Sequence, residues 1–165
     1  MTGKQPLRIN IRYMCPKDRP QILSILKETG VFRPEELTVA EEVLDDALAK
    51  GAGGHYQSFV AEDGGGTAIG WVCFGPTPCT VGTFDIYWLV VASQKQHCGI
   101  GASLVQYATE LIKRRNGRMI VVETSGNARY LSTRQFYEKM DYCEAGRVKD
   151  FYAVGDDKVI YTKLI

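Results

Sequence analysis

Gln96, His97, Cys98, Gly99, Ile100 and Gly101 lie between the most strand-like run of the chain, residues 83–91 (TFDIYWLVV), and a stretch of helical periodicity starting at about Gly101. Glycines at such a junction let the main chain come close to a ligand and adopt conformations closed to other residues. The first-turn N–H groups of the helix that follows lack internal partners and sit at the positive end of its dipole. Together with Ala102, these residues make a site suited to a pyrophosphate. The rival is a Gly-x-Gly-x-x-Gly dinucleotide fingerprint, for which Glu123 lies near the distance expected of a ribose contact. It fits poorly. Polar Ser93, Gln94, Lys95, Gln96 and His97 separate the strand from the glycines, and Leu104 stands where the third glycine belongs.

Other residues could move protons or orient a substrate. Asp85 interrupts an otherwise apolar strand, and an unpartnered buried carboxylate is costly. It is therefore either a proton acceptor or an edge-facing carboxylate held by a neighbour. Tyr87, two residues on, shares its strand face. Glu123 is a second candidate base. A phenol such as Tyr137, with an ordinary pKa of about 10, can donate a proton once water is excluded; beside Phe136 it could equally be a core aromatic. Asn127 suits either a ligand contact or the cap of the helix after it.

These residues need elements to hold them. Residues 7–13 alternate apolar and polar, as a half-buried strand does. Asp18 and Pro20 open a helix whose apolar face is Ile22, Leu23, Ile25 and Leu26, and Gly30 ends it. Thr38 and Glu41 form a capping box for a second helix through Ala40, Val43, Leu44, Ala47 and Leu48 to Gly51. Two strands, residues 55–62 and 67–74, flank the hairpin turn Asp63-Gly64-Gly65-Gly66. After the strand of residues 83–91 come a helix to Arg115, a strand over 119–123, a helix over 129–140, and strands over 142–149 and 158–164. The order β-α-α-β-β-β-α-β-α-β-β, without repeat or linker, implies one α/β (α+β) domain over residues 1–165 with a mixed sheet and helices on its faces.

Here the residues carry a resemblance. The segment from Gln96 to Gly101 is similar to the Gln/Arg-x-x-Gly-x-Gly/Ala motif of the GNAT superfamily of N-acetyltransferases, which follows that fold's fourth strand. Tyr130-x-x-Thr133-Arg134-x-Phe136-Tyr137 and the residues to Tyr142 resemble its later Phe-Tyr-x-x-x-Gly-Phe/Tyr segment, and the element order matches over essentially the whole chain. Two departures stand out: Cys98 where the family is usually basic, and Asp141 where it has a glycine, a place aspartate can fill in an unusual turn.

The resemblance implies a mostly antiparallel sheet of about seven strands flanked by four helices and splayed between strands 4 and 5. It implies acetyl-CoA as cosubstrate, its pyrophosphate on the main chain of residues 96–102 and its pantetheine arm along Leu89, Val90 and Val91, with Asn127 a side-chain contact. Tyr137 would be the general acid and Asp85 the base or amine-orienting group in direct transfer to a small-molecule or protein amine. Phe32, Tyr87 and Glu123 would line the acceptor site, shaped by residues 28–36 and by residues 150–158, whose aromatics and carboxylates suit either a cationic amine or a polar hairpin. A non-catalytic CoA-binding regulatory module is the alternative, although CoA binding alone requires neither Asp85 nor Tyr137. Homodimers are common in the family; the residues here do not establish one.

Composition sets outer bounds. The chain has 165 residues, 45% hydrophobic and 24% charged, which is globular in character. A net charge of +1 gives no argument for nucleic acid or an anionic membrane, and Lys113-Arg114-Arg115 reads as a helix C-terminus. No apolar run approaches the roughly 20 residues that span a bilayer, and the first ten residues lack a secretory signal's apolar core. A cytoplasmic protein without membrane or nucleic-acid partners is expected. Five scattered cysteines and two histidines, with no C-x-x-C, suit neither a metal site nor a disulfide framework.

Overall fold

The computed structural model describes residues 9–165. Its elements run β1 (Asn10–Tyr13), α1 (Arg19–Glu28), α2 (Pro34–Lys50), β2 (Gln57–Glu62), β3 (Ala68–Pro76), β4 (Thr83–Val91), α3 (Ile100–Arg114), β5 (Met119–Ser125), α4 (Leu131–Lys139), β6 (Cys143–Ala153) and β7 (Asp156–Leu164), with short 3-10 turns between some of them. The strands form one sheet in the order β1-β2-β3-β4-β5-β7-β6. β1 and β2, β5 and β7, and β6 and β7 pair antiparallel, whereas β4 and β5 pair parallel. This is the mixed seven-stranded sheet with four helices that the element order implied. The β4–β5 ladder joins Thr83 to Met119, Phe84 to Ile120 and Asp85 to Val121, and the parting of these strands begins there.

The chain divides into two compact units. The first comprises the chain up to Cys73 together with Trp88–Tyr107. Its core is the apolar face of α1 (Ile22, Ile25, Leu26), that of α2 (Ala40, Val43, Leu44, Ala47) and the buried residues of β2 and β3. Gly70 lets α3 approach β3: a Cβ there would meet Leu104 Cδ1 at 3.0 Å and Ile100 Cγ2 at 3.2 Å. An ion cluster ties β1 to the start of α1. Arg12 forks onto fully buried Asp18 (Nη1–Oδ2 2.7 Å, Nη2–Oδ1 2.9 Å) and also donates from Nε to Glu62. Burial pushes the Asp18 carboxyl up, but the Arg12 bonds and the Cys15 N–H outweigh it and hold the group below the usual carboxylate range.

The second unit comprises Phe74–Tyr87 and Ala108–Ile165. Ile120, Val122, Val159, Tyr161, Tyr137 and Tyr142 are buried in it. Its outermost strand, β6, is exposed along most of its length, including Val148 and Phe151.

Two sequence expectations need correction, and part of a third lies outside the described residues. The α2 helix begins at Pro34, not behind Thr38. Proline's fixed φ suits the first turn, and Glu36 Oε2 accepts the Arg33 N–H at 2.8 Å, so the box closes earlier in the chain; Thr38 instead donates its hydroxyl to the Pro34 carbonyl. The α1–α2 connection is correspondingly shorter, residues 29–33. The expected loop over residues 150–158 is mostly strand, with β6 and β7 joined by a tight turn at Val154 and Gly155. The first strand is assigned from Asn10, so Leu7 and Arg8 of its expected span lie outside the described residues.

Candidate active site

The glycine loop belongs to the first unit. A 3-10 turn, Ser93–Lys95, leads from β4 to it, and Gln96 reaches back to donate from Nε2 to the Val91 carbonyl at 3.2 Å. His97 has φ +60° and Gly99 φ +80°, flanking Cys98. The left-handed region costs a non-glycine residue roughly 1–2 kcal/mol, a cost that His97 bears in this loop. Gly99 starts α3: its carbonyl accepts the Ser103 N–H at 3.0 Å, which leaves the N–H groups of Ile100, Gly101 and Ala102 without helical partners. Gln96, His97, Cys98 and Gly99 are exposed and Ile100 is buried; a Cβ built on Gly99 meets nothing within 4 Å. The loop is open above a row of unpaired donors.

The end of β4 offers further main-chain groups. Ala92 donates to the Ile69 carbonyl of β3, so by strand alternation Val90 also turns its N–H and C=O toward β3. Leu89 and Val91 then turn theirs away from β3, and the Val91 carbonyl is engaged by Gln96. Of the three residues expected along a pantetheine arm, these two present the open backbone. Phe32 packs on Trp88 with ring centroids 5.5 Å apart, and Trp88 stacks on Trp71 at 6.0 Å. Trp88 was not singled out in the sequence, where it reads as one more β residue.

The second unit holds the titratable candidates. Asp85 is half-buried, and its Oδ2 accepts the Thr77 hydroxyl at 2.7 Å. Tyr87 follows on the same strand face, half-exposed. Tyr137 is 3% exposed, set edge-on against Phe136 and Tyr142 and more nearly parallel to Tyr161. Burial, followed by the neighbouring Tyr142, drives its phenol well above the ordinary tyrosine value. The proton therefore stays on, and the hydroxyl donates to no described residue. Of the two tyrosines that complete this enclosure, Tyr142 falls within the motif around Tyr137, whereas Tyr161, on β7, carried no signal in the sequence. Asp141 has φ +63°, the unusual turn expected where a glycine commonly stands.

Glu123 is exposed and ion-paired to Lys158 at 2.6 Å, and the Lys158 ammonium also lies 3.9 Å from the Phe151 ring centre. The carboxylates of the β6–β7 hairpin are likewise occupied: Asp150 caps Gly155 N–H, Asp157 accepts from Asp150 N–H and Arg147, and Asp156 accepts from Ser125. The bonds of Asp150 and Asp157 close the hairpin and that of Asp156 ties it to β5, which favours the polar-turn reading over a cationic-amine site. Asn127 accepts the Arg129 N–H through Oδ1 at 3.0 Å, capping the 3-10 turn that leads into α4, one of the two roles left open for it.

Residues 54–144 match the family model for an acetyltransferase (GNAT) domain. A solved structure from Desulfovibrio desulfuricans, assigned to the GNAT family, is 38% identical with TM-score 0.89, covering 95% of this chain and 99% of that one. The chain belongs to the GNAT family of acetyltransferases. More distant GNAT-like folds include the ribosomal-protein-S18-alanine N-acetyltransferase of Escherichia coli (16% identical, TM-score 0.74, 96% and 94% of the two chains). An aminoglycoside 6'-N-acetyltransferase solved with coenzyme A is 18% identical, TM-score 0.74, over 94% and 96%. No curated protein sequence matches. Among the described residues of this GNAT chain, no group of three or more His, Cys, Asp and Glu could hold a metal ion, and no helix is long and apolar enough to cross a membrane.

Proposed function

We propose that this protein transfers an acyl group, acetyl in the first instance, from acyl-CoA to a primary amine by direct attack. The observation that carries the reading is the open row of N–H donors from Ile100 to Ala102 beneath a glycine with positive φ, in a chain of the GNAT family. Those donors and the α3 dipole suit the two negative charges of a pyrophosphate. The cradle is made of main chain, so Cys98 in place of a basic residue removes one side-chain charge and leaves the hydrogen bonds intact. The outward N–H and C=O groups of Leu89 and the N–H of Val91 would take the amide groups of the pantetheine arm as another strand does. A main-chain N–H there can also polarise the thioester carbonyl as negative charge develops on it.

Acyl transfer needs a neutral amine, a base for the proton it sheds, and an acid for the departing thiolate. Tyr137 supplies the acid. Its phenol is kept protonated by burial and has no competing acceptor among the described residues, so it is ready to donate once a thiolate forms within reach. Asp85, steadied by Thr77, takes the amine proton or orients the amine; Glu123 is the weaker base because Lys158 already claims its carboxylate. Phe32 and Tyr87 are proposed to line the acceptor site, with Trp88 beside Phe32.

The test is release of free thiol from acetyl-CoA against a panel of small and peptide amines, with Tyr137→Phe in parallel. Turnover on some amine that collapses in the variant, with CoA affinity retained, supports the whole reading. CoA binding without turnover on any amine or acyl donor would leave a regulatory module. Absence of CoA binding would overturn the proposal.

A further inference from the structure

Side chains that play no part in the phosphate loop or the acid–base pair hold the segment carrying Asn127. Arg134, on α4, donates from one nitrogen, Nη1, to the carbonyls of Ser125 (2.8 Å) and Asn127 (2.9 Å). The Ser125 hydroxyl accepts the Asn127 N–H at 2.9 Å while donating to Asp156. The Gly126 N–H is bound to the Asp157 carbonyl at 2.7 Å. A Cβ on Gly126 would lie 3.1 Å from both Arg147 and Asp157, so the segment is also closely packed. Arg134 makes no ion pair with any described residue. Its charge is spent on two carbonyls, one for each Nη1 hydrogen, and the planar guanidinium fixes the direction of both.

This clamp leaves Asn127 one free function. Its main-chain N–H and C=O are bonded, and a backbone N–H can be accepted only by the amide oxygen, so the cap to Arg129 fixes which end of the side chain is which. The two Nδ2 hydrogens remain, and they can only donate. Capping and ligand contact, rivals in the sequence, use opposite ends of the same amide.

We infer that Arg134, braced by Ser125, is a positioning residue that holds the Asn127 amide so that Nδ2 donates to an amide carbonyl of the pantetheine arm. This rests on CoA being the acyl carrier. A donor fixed before binding costs no ordering when the ligand arrives, so loosening the clamp weakens the contact even though Arg134 touches no ligand.

The experiment measures binding of CoA and of adenosine 3',5'-bisphosphate, which lacks the pantetheine arm, by calorimetry on the whole chain. The variants are Arg134→Met, Asn127→Asp, which keeps the capping oxygen and removes the donor, Asn127→Ser as its uncharged control, and the Arg134→Met/Asn127→Asp double variant. Each single variant should weaken CoA binding about tenfold, the worth of one ordinary hydrogen bond, with adenosine 3',5'-bisphosphate binding unchanged. The double variant should also lose about tenfold, because both changes remove one contact. Ser125→Ala, which leaves Arg134 in place, should show the same split between the two ligands and serves if Arg134→Met does not fold. A loss of about a hundredfold in the double variant overturns the inference, since Arg134 would then act independently of Asn127. So does an equal loss for both ligands, or wild-type CoA affinity in Arg134→Met or Ser125→Ala. If wild-type protein binds no CoA, the acyl-CoA reading itself fails, a result distinct from any of these.

Discussion

Two loops of this chain prepare polar groups in different ways. From Gln96 to Ala102 the donors are main-chain N–H groups left over at the start of α3, and the side chains above them are exposed. From Ser125 to Asn127 the Ser125 carbonyl, the Gly126 N–H and both main-chain groups of Asn127 are engaged, and the group left over is one end of an amide held by Arg134, Ser125 and the cap to Arg129. The same contrast separates the units more broadly. In the first, the candidate site depends on backbone conformation and on the packing that fixes it. In the second, the roles proposed for Tyr137 and Asp85 rest on side-chain atoms whose properties come from other side chains. A backbone site tolerates changes of residue type and is sensitive to conformation; a side-chain site behaves the other way round.

The largest expected effect tests the side-chain half. Tyr137→Phe removes the donor oxygen and keeps the ring, so turnover should fall roughly 100- to 10,000-fold with CoA affinity unchanged. A rate within tenfold of wild type would show that another group protonates the thiolate. Burial also means that the wild-type rate should show no descending limb from this phenol before about pH 10, where a free tyrosine would ionise.

Next is the ion cluster that fixes the β1–α1 corner of the first unit. Arg12→Met strands the buried Asp18 carboxylate and should cost about 3 kcal/mol at pH 7. The wild-type Asp18 carboxyl is held below its unfolded value, so its contribution is present above about pH 4 and is lost as pH falls through the folded value. The gap between wild type and variant in urea unfolding should therefore narrow in acid. An equal gap at pH 7 and pH 3 would show that Asp18 is not the cause.

Alkali should probe the second unit. Burial pushes the Tyr161 phenol up to about 12, and Tyr137 and Tyr142 are raised as well. Groups with raised folded values stabilise fully below the unfolded value and lose that contribution as pH rises through the folded one. Stability should thus decline between about pH 10 and pH 12. Replacing Tyr161 with Phe should flatten that decline, followed by thermal melting across this range.

The smallest effects separate conformation from residue type in the glycine loop. Gly99→Ala forces a Cβ into the left-handed region at a cost of roughly 1–2 kcal/mol and should weaken CoA binding about tenfold. Cys98→Ser, an exposed change that leaves the main chain alone, should alter it by less than about twofold. Reversal of that order would mean that the loop binds through its side chains.

Much of the fold was legible because hydrophobic period and breakers are local. The face of α1, the β4 run and the glycine stops at Gly30 and Gly51 all lie where the pattern put them. Thr38 misled because a capping box is a short pattern, and Pro34 with Glu36 offered an equivalent one earlier in the helix. For residues 150–158 a cationic-amine site and a polar hairpin both stayed open, because sequence does not show that Asp150 and Asp157 close hairpin bonds while Asp156 binds Ser125 of β5. For the site, Gly99 and Tyr137 could be singled out by motif. Thr77 beside Asp85, Arg134 beside Asn127 and Lys158 on Glu123 could not, since nothing in their spacing marks the pairing.

The sequence by itself determined the elements, the family motifs and the positive-φ places at Gly99 and Asp141, because each follows from a few adjacent residues. Only the tertiary structure decided which carboxylates are already engaged, that the Tyr137 phenol is enclosed by two other tyrosines, and which end of the Asn127 amide is left to donate. Those are properties of groups brought together from distant parts of the chain, where burial and hydrogen bonding set what each can do.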